Sequence, residues 1–591
     1  MPSRSFRLAL ACIAAADCGP ADRPSGNAAT VAETLTAFRL RADFEAPLNA
    51  NAGWAGGLNE EAVVSAERPF RLRLEIERAS GAGGALGYGL QYRRNSGEWI
   101  KVLTADFPYE EAEERTPRVS IVSARAFANG APSADLLAGS GAAYTGGAGV
   151  ALAPLTLEAP SGGGQSEWEW ALVIRRYADG AVTNEDGDRF EFRMTDATGR
   201  PVEARGWPAV TLAVPPRLLG GTFVETPGRI GPWQATNGDL YFVMEPAESF
   251  NVLMVVKSSD GGISWREVDG GNRPATDDLE GFATALAGNT IHMLHQISES
   301  VHYHSFRTSD HPTAPDTWAI RDEAVAAPAG EPPVQAASVA VRSDGSVVGV
   351  YAGPEKIHLK IRSPAGEWDT EIVIDEGSPP DLSGPELALG ADDVVHLGYT
   401  GRDGTAWYRR IQPDGALTTR VSIANDLGAT EADVGSVLPL VYIPETDTLV
   451  IVYRSASGQL WERRIVANEA PTDPRRITGR SVVQNAVDSD QTGADAIAIG
   501  SSVHLLFIES DSGNILHSYT DGDGRWMPAR IAVNGVRAQW VRGAPLVFDG
   551  REHYGYVYDA GSNGGSGTNW FATLEVARDF AADAANTTGR D

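Results

Sequence analysis

The amino-acid sequence predicts an all-β protein: an N-terminal β-sandwich followed by a β-propeller of six or seven blades, with seven favoured. Three observations support this fold class. Strand-like segments alternate apolar and polar residues with a period of two, and no helix of useful length interrupts them. Hydrophobic strand cores recur about every 50 residues in the C-terminal part. The 65 glycines and 35 prolines are spread along all 591 residues, as expected for many short strands joined by turns.

The sandwich is predicted over residues 31–216, where it ends at a Pro-Pro pair. In Phe70–Ile76 the apolar residues alternate with Arg71, Arg73 and Glu75. One apolar and one polar face are typical of an antiparallel sheet that packs on a second sheet. We therefore expect these arginines and glutamates to face solvent. Two later segments repeat the pattern: Glu167–Ile174 and Phe190–Met194.

The propeller is predicted over residues 217–577. A single repeat cannot bury its own faces, so each is expected to form a four-stranded blade that stacks on its neighbours. The last repeat lacks an outer strand, which Leu218–Val224 is predicted to supply so that the ring closes. Residues 578–591 are expected to form a flexible tail. The repeated strand cores are Leu240–Met244, Ile291–His295, Val347–Tyr351, Val395–Tyr399, Leu449–Tyr453, Val503–Phe507 and Glu552–Tyr556.

Residues 1–30 are predicted to be an export signal and linker. Two arginines precede a short apolar stretch that starts at Leu8, and small residues before Asp17 suit cleavage. The only cysteines are Cys12 and Cys18, which excludes a disulfide framework in the folded body and leaves a lipid anchor as an alternative for this segment. We expect a secreted, periplasmic or cell-surface protein.

The charge of the chain excludes one class of partner. Its net charge of -29 at pH 7 argues against nucleic-acid binding, because neutralisation of phosphates by cations drives that affinity. No apolar stretch approaches the roughly 18 residues of a transmembrane helix. Lysines are scarce, so nearly all cations are arginines, which bind carboxylates and sulfates through two hydrogen bonds. Motifs for nucleotide, metal or serine-hydrolase sites are absent, and neither a cofactor nor a metal is expected.

The segment Ser258–Trp265 fits the Asp-box pattern Ser-x-Asp-x-Gly-x-Ser/Thr-Trp at every defined position. Asp260 is expected to accept hydrogen bonds from its own turn, Gly262 to adopt a positive φ, and Trp265 to pack at the blade edge. With this motif and the repeats, residues 217–577 resemble the sialidase-like BNR-repeat β-propellers. The resemblance implies that the box is structural and lies between the third and fourth strands of a blade.

The segment Gly228–Pro232 is similar to the sialidase Arg-Ile-Pro signature, with one glycine inserted before the proline. The resemblance implies that Arg229 is the first arginine of a carboxylate-binding set. In a propeller, ligands bind at one end of the central channel, near the segments that enter the innermost strands and the loops between second and third strands. Residues at such positions are predicted to bind substrate: Trp233, Arg402, Arg454, Trp540 and Arg542.

His295 is the candidate general base. It occupies a strand end at which other blades carry an aromatic residue, and an unperturbed imidazole has a pKa of about 6.5. Tyr399, at the corresponding position of another blade, is the first choice among the tyrosines. His302 and His304 form a His-x-His pair on the next strand, but no carboxylate at matching spacing accompanies them, so a metal site is not predicted.

The leading hypothesis is an exported, monomeric enzyme that binds an anionic polysaccharide, with uronate or sulfated residues, and cleaves it by β-elimination. Arg229 would neutralise the uronate carboxylate, and His295 or Tyr399 would remove the adjacent proton. Two alternatives stay open: sialidase-like hydrolysis, and a glycan-binding or adhesive propeller without catalysis. The sandwich would be a carbohydrate-binding or spacer module.

Overall fold

The computed structural model confirms the all-β fold class. Three short 3₁₀ helices occur among the described residues, at Thr308–Asp310, Ala391–Asp393 and Pro444–Thr446. No described helix has the length and apolar character needed to cross a membrane. The predicted export segment and C-terminal tail lie outside the described residues. The structure describes residues 33–79, 84–104, 118–139, 141–151, 156–159, 163–176, 184–221, 228–246, 252–269, 272–276, 281–310, 318–328, 336–353, 356–376, 383–401, 404–427, 438–482, 493–534, 536, 538, 540–560 and 568–576.

The N-terminal region is a sandwich of two large sheets. One sheet has the order β13-β1-β3-β11-β8-β7 with β9 parallel to β11, the other has the order β2-β14-β12-β5-β6, and β4 pairs with β10. Leu72, Trp170 and Phe192 belong to the apolar core of this region. The strands are β1 (Glu33–Arg41), β2 (Ala62–Ser65), β3 (Phe70–Arg78), β4 (Gly84–Gly87), β5 (Gly89–Arg94), β6 (Ile100–Lys101), β7 (Leu103–Thr104), β8 (Val119–Ile121), β9 (Tyr144–Val150), β10 (Thr156–Ala159), β11 (Gly164–Ile174), β12 (Arg189–Thr195), β13 (Glu203–Ala204) and β14 (Ala209–Ala213).

The charged face of the larger sheet is buried, so the predicted solvent exposure of Arg71, Arg73 and Glu75 is wrong. Loops after β1 and β8 cover this face. Arg73 Nη1 donates a hydrogen bond to the Leu48 carbonyl (2.9 Å), and Glu75 Oε2 accepts one from the Gly139 N–H (2.8 Å). Period-two alternation reports which residues share a face, but it does not report whether loops cover that face.

Seven four-stranded sheets form the C-terminal region within the described residues, and we number them blades 1 to 7 in chain order. Each runs from its innermost to its outermost strand. Blade 1 contains β16 (Trp233–Gln234), β17 (Leu240–Met244), β18 (Met254–Ser258) and β19 (Arg266–Glu267); blade 2 contains β20 (Gly281–Ala287), β21 (Thr290–Ile297), β22 (Ser300–Arg307) and β23 (Ile320–Ala326); blade 3 contains β24 (Ala337–Val341), β25 (Val347–Ala352), β26 (Lys356–Arg362) and β27 (Ile372–Glu376); blade 4 contains β28 (Ser383–Leu389), β29 (Val395–Thr400), β30 (Ala406–Ile411) and β31 (Val421–Ala424). Blade 5 contains β32 (Leu440–Ile443), β33 (Thr448–Arg454), β34 (Leu460–Val466) and β35 (Arg475–Arg476); blade 6 contains β36 (Ala494–Ile499), β37 (Ser502–Ile508), β38 (Ile515–Tyr519) and β39 (Arg530–Val533); blade 7 contains β40 (Val541–Phe548), β41 (Arg551–Ala560), β42 (Thr568–Glu575) and, as its outermost strand, β15 (Leu218–Gly220).

The blades form a closed ring. From blade 2 to blade 7, the innermost strands of successive blades contact one another, and β40 of blade 7 also contacts β16 of blade 1. A hydrogen bond from Trp233 Nε1 to Thr284 Oγ1 (2.7 Å) joins blade 1 to blade 2. The segment before blade 1 completes blade 7, where Leu218 pairs with Trp570. The ring is therefore closed by pairing between β15, its first strand in the chain, and β42, its last, as the sequence predicts.

The Asp-box turn joins the third and fourth strands of blade 1. Ser258 Oγ donates a hydrogen bond to Asp260 Oδ1 (2.7 Å), and the same carboxylate oxygen accepts a backbone N–H of the turn. Gly262 has a φ of +87°, and a Cβ there would overlap the Phe571 ring of blade 7. Trp265 packs edge-on against that ring, with centroids 5.4 Å apart. These contacts give the box a packing role between blades 1 and 7.

The sandwich contacts the propeller at this same turn. The Arg176 guanidinium of the sandwich donates a hydrogen bond to the Trp265 carbonyl, and the N–H of Arg217, at the start of the propeller, donates one to the Ile263 carbonyl (2.6 Å). The Asp box therefore lies at the junction of the two regions rather than near the ring axis.

Candidate functional site at the ring axis

Charged side chains from distant parts of the chain meet at the axis of the ring. Arg229 precedes β16, Glu386 lies in β28, Asp495 in β36 and Arg542 in β40, so four blades contribute. The main chain at Gly228 passes very close to blades 2 and 3: a Cβ there would lie 3.0 Å from the Ala337 carbonyl oxygen and overlap another carbonyl oxygen. This close approach requires glycine and brings Arg229 to the axis.

Arg229 is the accessible member of this axial cluster, which we define as Arg229, Glu386, Asp495, Arg542 and Tyr554. Its Nη2 donates to Glu386 Oε1 and to the Ala496 carbonyl, both at 3.1 Å, and lies 3.6 Å from Asp495 Oδ1. The side chain is 21% exposed. All its side-chain hydrogen bonds to described residues leave from Nη2, and Nε and Nη1 donate to none of them. Burial alone lowers the pKa of Arg229, but the two carboxylates more than offset this and raise it above its ordinary value.

The remaining members of the cluster are almost completely buried. Arg542 Nε donates to the Gly228 carbonyl (3.1 Å), and its Nη1 lies 3.7 Å from Asp495 Oδ1. Asp495 Oδ2 accepts hydrogen bonds from the Gly543 N–H (2.8 Å) and the Tyr554 hydroxyl (3.0 Å). Burial, and then the nearby Asp495 carboxylate, raise the pKa of Tyr554 well above its usual range.

The surroundings of Glu386 favour its neutral form. Its Oε2 is buried without a hydrogen-bond partner among the described residues, whereas Oε1 accepts from Arg229. Burial raises the pKa of Glu386, and the Arg229 and Arg542 guanidinium groups offset only part of this rise. A carboxyl group whose pKa is raised in this way keeps its proton at higher pH than an exposed glutamate does.

The structure brings together two of the predicted site residues: Arg229, predicted to be catalytic, and Arg542, predicted to bind substrate. Trp540 is fully buried, with its ring 6.2 Å from that of Phe242, and does not offer a face to a ligand. Trp233 is half-buried, and its indole N–H is used by the hydrogen bond to blade 2. Arg454 Nε donates to the Val482 carbonyl (2.9 Å). Arg402 lies outside the described residues.

His295 and Tyr399 do not join the axial cluster. His295 is fully buried and bonds Thr276 Oγ1 through Nε2 (2.9 Å), and burial lowers the pKa of its imidazole to about 3. The Tyr399 hydroxyl donates to Asp375 Oδ2 (2.8 Å) in the outer strand of the preceding blade. These second-strand ends face the space between blades, which explains why the expected trio of His295, Tyr399 and Arg229 is not assembled.

Sequence reasoning missed Glu386, Asp495 and Tyr554. The carboxylates carry a recognisable signal, because each is an acidic residue in an otherwise apolar innermost strand, a position from which a side chain can reach the ring axis. Tyr554 lies in a repeated strand core, where an aromatic residue is expected in any case, so its position alone does not distinguish it.

No family model matches the chain, and no curated protein matches it. Solved structures with a similar fold include a variant of the NanB sialidase from Streptococcus pneumoniae, at 9% identity over 92% of this chain and 93% of that chain, with a TM-score of 0.39. The intramolecular trans-sialidase from Ruminococcus gnavus is 8% identical over 60% of this chain and 94% of its own, with a TM-score of 0.36. The Aleuria aurantia lectin, described as a six-bladed β-propeller that recognises fucose, is 12% identical over 55% of this chain and 100% of its own, with a TM-score of 0.34. The structures to which this chain is similar thus include sialidases and a sugar-binding lectin.

Proposed function

We propose that the protein binds a glycan that carries carboxylate or sulfate groups, and that Arg229 receives one such group at the ring axis. The observation that carries this proposal is the partial exposure of Arg229, whose Nε and Nη1 donate to no described residue, while Nη2 is held by Glu386. Two neighbouring guanidinium N–H groups match the two oxygens of a carboxylate or sulfate, and this geometry gives both strength and orientation.

The overall charge makes such a site selective. A chain with a net charge of -29 has no general attraction for polyanions, so affinity depends on this local cation and on contacts with the neutral parts of the glycan. Within the cluster the two arginines are balanced by two carboxylates. Uptake of a proton by Glu386 would leave a net positive charge and favour an anionic ligand.

Sialidase-like hydrolysis is the second candidate. The hydrogen-bonded pair of Tyr554 and Asp495 beside Arg229 favours it, because a tyrosine serves as the nucleophile in sialidases and Glu386 would be the proton donor. All three of these groups are almost completely buried, however, and so we place binding first. The buried positions of His295 and Tyr399 in hydrogen bonds to other residues do not support β-elimination by the predicted trio.

Calorimetric titration of the full chain with polygalacturonate, heparin and neutral dextran tests the proposal. We expect binding of an anionic polymer, and we expect the charge-balanced variant Arg229→Gln with Glu386→Gln to weaken it about tenfold or more, as for the loss of hydrogen bonds to a charged group. Release of reducing ends would establish hydrolysis, and an ultraviolet-absorbing unsaturated product would establish elimination.

An exposed pair provides the matched control. Arg480 and Glu509 form an ion pair in which the arginine is 52% exposed. Replacing both with glutamine removes one positive and one negative charge, as the axial variant does, but leaves the axis intact. Equal losses in the two variants, or no binding of any anionic polymer by the wild-type chain, would contradict the proposed site.

A further inference from the structure

A cavity of about 400 Å³ lies between blades 4 and 5. It lies within the size range of small-molecule sites in proteins. Its wall is formed by the end of the blade 4 outer strand together with the buried Tyr453, the half-buried Trp461 and Arg463, and the exposed Asp426. The residues of the wall that matter here are Ser422, Asp426, Tyr453, Trp461, Arg463 and Pro474.

The boundary between blades 3 and 4 carries the same framework one blade earlier. Tyr399 pairs with Trp407 across β29 and β30, just as Tyr453 pairs with Trp461 across β33 and β34. An arginine follows each tryptophan by two residues on the same strand: Arg409 in blade 4 and Arg463 in blade 5. The two boundaries therefore present equivalent tyrosine, tryptophan and arginine side chains.

The protein itself fills the first of these sites. Asp375 accepts a hydrogen bond from the Tyr399 hydroxyl and forms an ion pair with Arg420 (2.7 Å). The Arg420 guanidinium lies over the Trp407 ring, 4.2 Å from its centroid. Arg409 donates from Nε to the Thr418 carbonyl (2.8 Å) and from Nη1 to a carbonyl of blade 3. Hydroxyl, aromatic face and guanidinium are thus all engaged internally.

Within the part of the chain that the structure describes, the second site lacks these internal partners. Strand register shows that Pro474 in blade 5 corresponds to Arg420 in blade 4. Trp407 pairs with Ser422, and Arg420 lies two residues before Ser422. Trp461 pairs with Arg476, and Pro474 lies two residues before Arg476. A proline cannot cover the Trp461 ring with a cation.

Three polar side chains around the cavity, those of Arg463, Tyr453 and Asp426, also make few or no hydrogen bonds to described residues. Arg463 Nε is buried with no hydrogen-bond partner among the described residues, and its Nη1 makes only a long bond to the Ser422 carbonyl (3.4 Å). The Tyr453 hydroxyl and the Asp426 carboxylate have no side-chain hydrogen bond to any described residue. Buried polar groups in native proteins are normally satisfied, so an unused donor beside a cavity indicates an external partner.

We propose that this cavity binds one neutral pyranose residue of a glycan. The apolar C–H face of the sugar would pack on Trp461, and its hydroxyl groups would bond to Tyr453, Asp426 and Arg463. The Arg463 and Asp426 charges cancel, which favours a neutral ligand over an anionic one. This site is separate from Arg229, and the inference goes beyond the proposed axial function.

Saturation-transfer NMR with the methyl pyranosides of galactose, glucose, mannose, fucose and N-acetylglucosamine tests the site on the full chain. We expect at least one of them to bind with millimolar or better affinity. Tyr453→Phe and Asp426→Asn should each weaken that binding about tenfold, the effect of removing one hydrogen bond that the sugar cannot replace. Tyr399→Phe, the same change in the filled site, should leave binding unaltered.

A second variant recreates the internal occupant. Pro474 is exposed, and Pro474→Arg would place a guanidinium over Trp461 as Arg420 lies over Trp407, so we expect it to abolish sugar binding. The axial variant Arg229→Gln with Glu386→Gln should bind the pyranoside as the wild type does, which separates this inference from the axial one. Failure of all five sugars to bind, or binding that persists in Tyr453→Phe and Asp426→Asn, would overturn the proposal.

Discussion

The sandwich and the propeller each bury a cluster of arginines and carboxylates, and the two clusters differ in how completely they are closed. In the sandwich, Arg41, Arg71, Arg73, Glu167 and Glu169 are all 0% exposed, and the loops that cover them supply carbonyl acceptors. In the axial cluster, one arginine stays 21% exposed, and two carboxylate oxygens, Glu386 Oε2 and Asp495 Oδ1, have no hydrogen-bond partner among the described residues. The same residue types therefore form a sealed structural layer in one region and an open cluster in the other.

Closure determines what a buried charge cluster can do. Charges removed from water must be paired to be tolerated, and the sandwich cluster meets this demand chiefly through ion pairs between its own members, although Arg71 Nη1 has no hydrogen-bond partner among the described residues. A partly open cluster keeps donors that a ligand can use. The comparison predicts that changes in the sandwich affect stability alone, whereas changes at the axis affect both stability and binding.

Glu169→Gln should have the largest effect on stability. Glu169 accepts hydrogen bonds from Arg41 Nε (3.0 Å) and Arg73 Nη1 (2.6 Å) and forms an ion pair with Arg71 Nε (3.1 Å). Glutamine keeps the shape but leaves three buried guanidinium groups short of one negative charge, and we expect a loss of about 3–5 kcal/mol in the free energy of unfolding. Guanidinium chloride unfolding measures it, and hydrogen exchange of the β11 amides assigns it to the sandwich.

The control for this variant is a less buried glutamate in the same region. Glu191 is 12% exposed and pairs with Arg93, which is 27% exposed. Partly exposed ion pairs contribute at most about 1 kcal/mol, so Glu191→Gln should have a much smaller effect. If the two variants lose the same amount, the sandwich layer is not held together by its charges.

The next prediction compares alanine substitutions at two closely packed glycines. Gly228 contacts the axial cluster, and Gly139 contacts the buried charged layer of the sandwich. A Cβ at 228 would lie 2.7 Å from Ala283 Cβ, and one at 139 would lie 2.6 Å from Ala37 Cβ. Each variant should lose about 1–3 kcal/mol through overpacking. Only Gly228→Ala should also weaken the binding of an anionic polysaccharide, because it displaces Arg229. Calorimetric titration of both variants measures this, with Gly206→Ala, where a Cβ has open space, as the control.

Much of the fold is predictable from the sequence because it depends on local patterns. Alternation identifies strands such as Phe70–Ile76, the repeat identifies blades, and the incomplete last repeat points to Leu218–Val224, within which Leu218–Gly220 forms the closing strand. The burial of Arg71 and Arg73 is not predictable in this way, because it depends on the path of loops more than twenty residues away along the chain.

The candidate site was only partly predictable. Arg229 was found through its similarity to a known signature, and Arg542 through its place at the start of an innermost strand. Glu386 and Asp495 were missed because their role depends on which strands face each other across the ring. His295 and Tyr399 were assigned to the axis by their place along the strand, but whether a strand-end side chain faces the axis or the space between blades depends on blade orientation.

The smallest expected effect, and the one that tests the openness of the axis most directly, is that of Glu386→Gln. Burial, only partly offset by Arg229 and Arg542, raises the pKa of Glu386 in the folded chain. The folded state therefore binds a proton more readily than the unfolded state. This contribution to stability is fully present below the unfolded glutamate pKa of about 4.3 and is lost as the pH rises through the folded value. Glutamine cannot titrate, so the variant should have a flatter stability profile over that window when urea unfolding is measured at several pH values.

At pH 7 the loss in Glu386→Gln should be about 1 kcal/mol or less, because the amide oxygen still accepts from Arg229 and no longer carries an unfavourably buried charge. The same chemical change at Glu169 removes a charge on which three arginines depend. If Glu386→Gln proves as destabilising as Glu169→Gln, the axial carboxylate is as tightly paired as the sandwich layer. Arg229 would then be held entirely by internal ion pairs, and this result would contradict the proposed binding site at the axis.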